Sequence, residues 1–568
     1  MNRNEIDVII IGGGGGGAVA AKELGEKGVK VLLIEAGPWY GNRQWPDPNR
    51  EQGGISSFRY DDLSIDLLKQ SFTDLEDDMN DFISGKFRWG PANRDASPWP
   101  RIIAGSGFTW QVAGVGGTTL HYYANSPRAY PQAVNHIWPI SYEELLPYYE
   151  KVESTLPVWP APSTAKEDLF YYGARRAGWQ LLTSPDVTSP GYRPQPNAIL
   201  RPNPALNDPD FDLQTNHGVG CMLRGHCVNG CHIGPAIEGI AKRSTFVSYI
   251  PRALQTGNVE IMPNSFVTRI LTEDNSEEGL HAVGVLCRNT WTGETEEYRA
   301  KIIVMAAGGV ETPRLWLNSG LPENEWVGRG LTNHWFDCVA GIFDEEVLMN
   351  ILGVSDVKPY VGQNAAARFD YPGLGVVEIF GMSPGLYSSV LYANTDAGFG
   401  SLNQPLNDAS WDIEGMVVGD RLKEVMRDYQ RTMSVLIFTD DDVNQTNSVT
   451  VHPEMRDENG YIPVVDYRPS EQDKIKRDKL AEIAADMMRK AGAKTIIRPN
   501  WPPNVYLHIM STMRLGFVTD TNCEAKQVKR LYIADNSVLF NGIGGPNPTL
   551  TTQALATRTS EKIIEKYF

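Results

Sequence analysis

The apolar pattern begins within six residues of the start. Residues 6–11 (IDVIII) form a short, β-branched apolar run bounded by Gly, the pattern of a strand buried on both faces. Ala18 to Lys27 then reads as a helix and Val29 to Ile34 as a second strand, so the chain opens with a βαβ unit. From Asp61 to Ile83, Leu63, Leu67, Leu68, Phe72, Leu75, Met79 and Phe82 share one helical face, with Asp and Glu opposite. That helix either packs on its own protein or serves as a lid or docking helix. Residues 157–215 are rich in Pro and polar residues and read as loops with little regular structure. Strand-like runs return at Val259–Met262, Val283–Cys287 and Lys301–Ala306. Across 345–465 apolar and polar residues alternate in short bursts, as in Val376–Phe380 and Met433–Phe438, which predicts an antiparallel sheet. A helix is expected over 471–490, with Ser470 as its N-cap and Gly492 as its stop. No internal repeat is visible. Nucleotide-type motifs sit at both ends with the sheet-like region between them, so two domains should be woven together rather than strung in series.

Composition narrows the class. Hydrophobic residues are 41% and charged residues 21% of 568, ordinary globular usage, which excludes disorder as the main state. A net charge of −17 argues against nucleic acid or an anionic membrane surface as partner. No apolar run reaches the roughly 18 residues of a membrane span. The N-terminal residues run straight into a strand rather than through a secretory signal. Six cysteines are too few for a disulfide scaffold. A cytoplasmic enzyme is the expectation.

The chemistry starts with six consecutive glycines, Gly12 to Gly17. Gly12, Gly14 and Gly17 satisfy G-x-G-x-x-G between a strand and a helix. One glycine makes the tight turn, one lets backbone approach a pyrophosphate, and one lets helix pack on strand. Free N–H groups at the helix start supply the anion site. Glu35 ends the second strand, where an acidic side chain can hydrogen-bond the adenosine ribose. The unit reads as a dinucleotide-binding one. Gly114, Gly116 and Gly117 make a second close-approach loop in AGVGGTTLHYYANSPR, and MAAGGVETPRLW (305–316) makes a third after an apolar strand. The segment 531–564, LYIADNSVLFNGIGGPNPTLTTQALATRTSEKII, adds a strand, a Gly/Pro loop and a final helix.

Five separated segments in this order resemble the glucose–methanol–choline (GMC) FAD-dependent oxidoreductases over most of the chain, most weakly in the middle. Within the family the wording is nearest to bacterial pyranose oxidase and glycoside 3-oxidase and to glucoside or gluconate dehydrogenase catalytic subunits. The resemblance implies an α/β fold (α+β overall): a Rossmann-type FAD-binding domain interleaved with a substrate domain built on an antiparallel β-sheet. The FAD-binding domain would take 1–55, 95–135, 216–345 and 505–568, the substrate domain 136–215 and 346–504, with 56–94 an insertion. Gly12, Gly14 and Gly17 would hold the pyrophosphate and Glu35 the ribose. Val267 would touch adenine, and Gly116, Gly117 and Asn125 would lie on the flavin side. Asp535 and Asn536 match the C-terminal flavin-contacting strand end, and Pro548 and Thr549 would sit over the pyrimidine part of the ring. Ala36, Arg101, Thr118 and Ala307 complete the implied cofactor set.

The family's catalytic base matches His508 in YLHIMSTMRLG. A neutral imidazole suits the removal of a hydroxyl proton while hydride leaves carbon. Asn547, in GGPNPTLTT, takes the second position, where many relatives carry His and sugar enzymes carry Asn; an amide steers a hydroxyl without titrating. The implied reaction is oxidation of a secondary ring hydroxyl of a sugar or glycoside, at C3 or C2, with oxygen, quinone or a partner protein as acceptor, in a chain that can oligomerise. A non-sugar alcohol, or a role as catalytic subunit of a multi-subunit dehydrogenase, are the alternatives.

Cys221, Cys227 and Cys231 in GCMLRGHCVNGCHIG have a C-x5-C-x3-C spacing. Related sugar dehydrogenase subunits hold a [3Fe-4S] cluster on such a spacing. Here MLRGH replaces the usual Asn-rich spacer and His232 replaces the following Pro. Free buried thiols are the competing reading, and His226 and His232 keep zinc open. His121 falls where pyranose oxidase links its flavin covalently, although noncovalent FAD is the reading here. His334, in TNHWFD, could line flavin or substrate and receives no role.

Overall fold

The apolar run IDVIII folds as the strand Val8–Ile11, every residue of it buried. It is the centre of a five-stranded sheet in the order Leu531–Ile533, Ile302–Met305, Val8–Ile11, Val31–Ile34, Val259–Met262. Every pairing in that sheet is parallel. A parallel sheet must be covered on both faces, which is why these strands read as continuous apolar runs. Helix Gly17–Glu26 packs against Tyr249–Gln255 and Thr549–Tyr567, joining the first, middle and last parts of the chain. The computed structural model describes residues 5–37, 39, 104–105, 108–109, 111–203, 220–228, 231, 240–276, 279–290, 292–395, 413–414, 417–499, 501 and 505–568. The expected helix over 61–83, the insertion 56–94 that contains it, and Arg101 lie outside these residues.

A second, seven-stranded sheet runs Ile413–Glu414, Thr495–Arg498, Phe336–Ile342, Thr432–Thr439, Gly375–Phe380, Ala367–Tyr371, Gly191–Pro194. It is antiparallel apart from the outer Ile413–Glu414 pairing. The bursts at 376–380 and 433–438 thus pair directly with each other. One face packs Val339, Phe369, Val377 and Ile437 onto helices Glu471–Lys490 and Ala165–Arg176. Because strand side chains alternate, Arg368, Asp370, Glu378 and Phe438 point to the opposite face. There they meet Tyr130, Asn547 and His508, which belong to segments before and after the sheet.

Helix Glu471–Lys490 starts in a capping box in which Ser470 accepts from the Asp473 N–H and Asp473 bonds back. Residues 157–215 depart from the loop expectation: they contain the helix Ala165–Arg176 and the strand Gly191–Pro194. The helix carries its own capping box, Thr164 with Glu167, and buries Leu169, Phe170 and Ala174 on the sheet. Flanking prolines mask a pattern that the box announces. Among the described residues no helix is long and apolar enough to cross a membrane.

Candidate active site

The two glycine-rich turns and the ends of the parallel strands enclose a cavity of about 480 Å³. Gly12, Gly14, Glu35, Ala36, Gly117, Thr118, Val267, Ala307, Asp535, Asn536, Pro548 and Thr549 line it, as does His508. Gly17, Gly116, Asn125 and Asn547 do not. The turn has its shape because of Gly12, whose φ is +102° and whose Cβ would lie 2.4 Å from the Ala306 carbonyl oxygen. At Gly17 a Cβ would lie 1.9 Å from the Gly12 oxygen, so helix and strand close up only on hydrogen. Gly14 differs: a Cβ there would meet nothing nearer than 3.8 Å and would project into the cavity. Space beside bare backbone at a helix N-terminus is what a pyrophosphate requires. Glu35 accepts from the N–H groups of Gly13 (2.7 Å), Gly37 (2.9 Å) and Gly114 (3.0 Å), which fix its carboxylate on the wall. Asp535 is tied by Thr312 (2.6 Å) and the Gly308 and Ser537 N–H groups, while burial pushes its carboxyl upward. These residues fit an extended dinucleotide.

His508 sits at one end of this wall. Its backbone N–H donates to Asn333 Oδ1 (3.1 Å), and its Nδ1 lies 2.9 Å from Nδ1 of His334. His334 Nε2 in turn lies 2.8 Å from the Gly542 carbonyl oxygen. The Phe438 ring is 5.1 Å from the His508 ring. Burial, then the neighbouring His334, hold His508 well below the ordinary histidine range. Burial brings His334 down to about 4. Both rings are therefore neutral near pH 7.

Asn547 faces the seven-stranded sheet. Its Oδ1 is 3.5 Å from Arg368 Nη1 and its Nδ2 is 3.5 Å from Glu378 Oε2. Arg368 bridges Asp370 (2.7 Å) and Glu378 (3.1 Å), and Arg193 pairs with Asp370 (2.7 Å). Asn125 donates to Glu378 Oε2 (2.8 Å) rather than reaching the cavity. Burial raises the Glu378 carboxyl despite Arg368, whereas the two arginines bring Asp370 down to about 2. Neither His334 nor this polar bank was assigned a role from sequence. A charged residue in an apolar strand, as in ARFDY and GVVEIF, is the available signal for the bank. Nothing local to TNHWFD points to a contact 174 residues away.

Cys221, Cys227 and Cys231 are buried and in no disulfide, with Cys227 and Cys231 close enough to raise the proton affinity of Cys221. Burial first, then Cys231, pushes Cys227 up to about 11. Among the described residues no group of three or more His, Cys, Asp or Glu is arranged to hold a metal ion; His232 lies outside these residues. His121 does not line the cavity; its Nδ1 contacts the Val228 carbonyl (3.2 Å).

A dinucleotide cradle on a parallel sheet, with a neutral histidine on its wall beneath an antiparallel sheet, defines a two-sheet flavin oxidoreductase. An FAD binding domain model matches residues 5–42, and GMC oxidoreductase models match 214–336 and 443–556. The chain belongs to the GMC oxidoreductases, an FAD-dependent family acting on CH–OH groups of alcohols or sugars. It is 24% identical to the 2-methyl-1,2-propanediol dehydrogenase of Mycolicibacterium austroafricanum, over 99% of this chain and 96% of the relative. It is also 24% identical to the fructose dehydrogenase large subunit of Gluconobacter japonicus, over 98% and 97%. Among solved structures, pyridoxine 4-oxidase from Mesorbium loti shares the fold with a TM-score of 0.59 at 15% identity, over 99% and 100%.

Proposed function

We propose that the protein oxidises a secondary ring hydroxyl of a sugar or glycoside, at C3 or C2, to the ketone. The polar bank behind Asn547 carries this reading. Arg368, Glu378, Asp370 and Asn125 form a buried polar network on the substrate-side face of the sheet that anchors the Asn547 amide, an anchorage that a simple alkanol would not need. His508 accepts the hydroxyl proton and the Asn547 amide orients the oxygen. FAD, when bound, supplies the two-electron acceptor for the hydride leaving the carbinol carbon. Gly12, Gly14 and the helix behind them would hold its pyrophosphate, Glu35 its ribose and Val267 its adenine. Gly117, Thr118, Asp535, Asn536, Pro548 and Thr549 would flank the ring, with Gly17, Gly116 and Asn125 as backing. The binding is noncovalent, since His121 lies off the cavity. The proposed division into FAD-binding and substrate-binding domains places each of the two sheets in one domain, except that Phe336–Ile342, within 216–345, is a strand of the seven-stranded sheet.

A vicinal diol is the second reading, favoured by the full-length similarity to a diol dehydrogenase. Anaerobic mixing of the purified holoenzyme with methyl glycosides, free pyranoses, 1,2-diols and long-chain alcohols, watching the flavin bands bleach, separates the two. Glycosides or pyranoses should bleach fastest. Fast bleaching by diols with inert sugars transfers the assignment to the second reading. The electron acceptor, whether oxygen, quinone or a partner protein, is then read by adding each to the reduced enzyme. About three iron atoms per chain would put a cluster on Cys221, Cys227 and Cys231, whereas an iron-free flavoprotein would leave them buried thiols.

A further inference from the structure

We infer that His334 is a positioning residue that holds His508 in the tautomer whose Nε2 is bare, an inference that rests on His508 being the base. Hydrogen-bond polarity carries it. The Gly542 carbonyl oxygen can only accept, so the proton on His334 is at Nε2, 2.8 Å away. His334 is neutral, so its Nδ1 presents a lone pair. The 2.9 Å contact to His508 Nδ1 then requires the proton to sit on His508 Nδ1. A neutral imidazole has one N–H, which leaves His508 Nε2 as an acceptor. When a hydroxyl proton arrives at Nε2, the Nδ1–H stays where it was, directed at His334. Without this partner the ring can carry its proton on Nε2, where it blocks the base.

The relay is anchored at both ends. The Gly542 carbonyl also accepts from the Gly545 N–H (3.0 Å), and the Gly544 N–H donates to Asp440 Oδ1 (3.1 Å). A Cβ on Gly542 would stand 3.2 Å from Asp440 Oδ1 and 3.5 Å from His334 Nε2, so the loop lies tight against the ring. At the other end Asn333, next to His334, accepts from the backbone N–H groups of Leu507 (3.3 Å) and His508 (3.1 Å). One dipeptide therefore fixes both the backbone and the ring of His508. The two rings cross at 81° with centroids 4.9 Å apart, and Phe438 closes the remaining side.

The test is nitrogen NMR of the [15N]histidine-labelled holoenzyme, with the His508 signals identified by their loss in His508→Gln. His508 should show a protonated Nδ1 and an unprotonated Nε2 near pH 7; a protonated Nε2 in the wild type overturns the inference. In His334→Leu the His508 proton should redistribute toward Nε2, and flavin bleaching by the fastest compound of the substrate panel should slow about 10²-fold. His334→Asn, whose Oδ1 can accept from His508 Nδ1–H, should restore the tautomer and most of the rate. Unchanged tautomer and rate in His334→Leu also overturn the inference. Should the leucine variant fail to fold, the wild-type spectrum and the asparagine variant decide. Wild-type bleaching in His508→Gln would instead overturn the base assignment and leave the tautomer result standing.

Discussion

His508 is caught between two demands, since a base must be unprotonated yet able to take a proton. Burial and His334 settle the first by holding the ring neutral well below pH 6.5, and Arg368 further opposes a charge on His334. The competent form of a general base is the unprotonated one, so activity is lost only as pH falls through the depressed value. Flavin reduction should therefore hold its rate as pH falls through 6.5 and decline only below it. An acid limb centred at or above 6.5 in rapid-mixing measurements would contradict this. His508→Ala should keep FAD and slow flavin reduction by roughly 10²–10⁴-fold. Asn547→Ala should slow the same step less, because it removes orientation and one hydrogen bond rather than the proton acceptor. The reverse order of severity would exchange the two roles. His508 and Asn547 were legible as residues from their wording, but their settings were not. The His334 contact and the Glu378–Arg368 pair arise from strand register and from loops that meet only in the folded chain.

At the scale of elements, the glycine turn separates a folding requirement from a binding one. Gly12→Ala places a Cβ 2.4 Å from a backbone oxygen in a left-handed conformation, so the first strand and helix cannot meet as they do. Gly14→Ala meets nothing nearer than 3.8 Å and only fills the cradle. Gly12→Ala should therefore lower the melting temperature of the apoprotein, whereas Gly14→Ala should melt like wild-type apoprotein and be purified with little flavin. Equal flavin content in Gly14→Ala and wild type would remove the turn from the pyrophosphate site. The βαβ unit was readable because apolar run, glycines and acidic strand end are contiguous. Helix Ala165–Arg176 was hidden because Pro and polar residues on both sides set the local impression, although Thr164 and Glu167 announce its start. The strand Phe336–Ile342 illustrates the other difficulty: its apolar run looks like those of the parallel sheet, yet it pairs antiparallel with Thr432–Thr439. Only long-range pairing decides that.

The whole molecule depends on how the two sheets are joined, and Arg368 lies at that seam. Through Asp370, Glu378, Gln195 and Asn547 it ties two strands of the substrate-side sheet and the residue after a third to the C-terminal segment that also lines the cofactor cavity. Two cations, Arg193 and Arg368, balance two carboxylates, Asp370 and Glu378, in a sealed site. Removing one partner from such a set leaves an uncompensated buried charge, which costs roughly 3–5 kcal/mol. Arg368→Met should accordingly be strongly destabilising and should loosen Asn547. Glu378→Gln should cost less, because burial already pushes that carboxyl toward its neutral form and the amide can still meet Asn125. In the double variant the charges balance again, so its loss should be smaller than the sum of the single losses, by about 0.5–3 kcal/mol of coupling. Denaturant midpoints of the four holoenzymes measure this directly. Simple additivity would mean that Arg368 and Glu378 act independently and that the seam is held by packing instead.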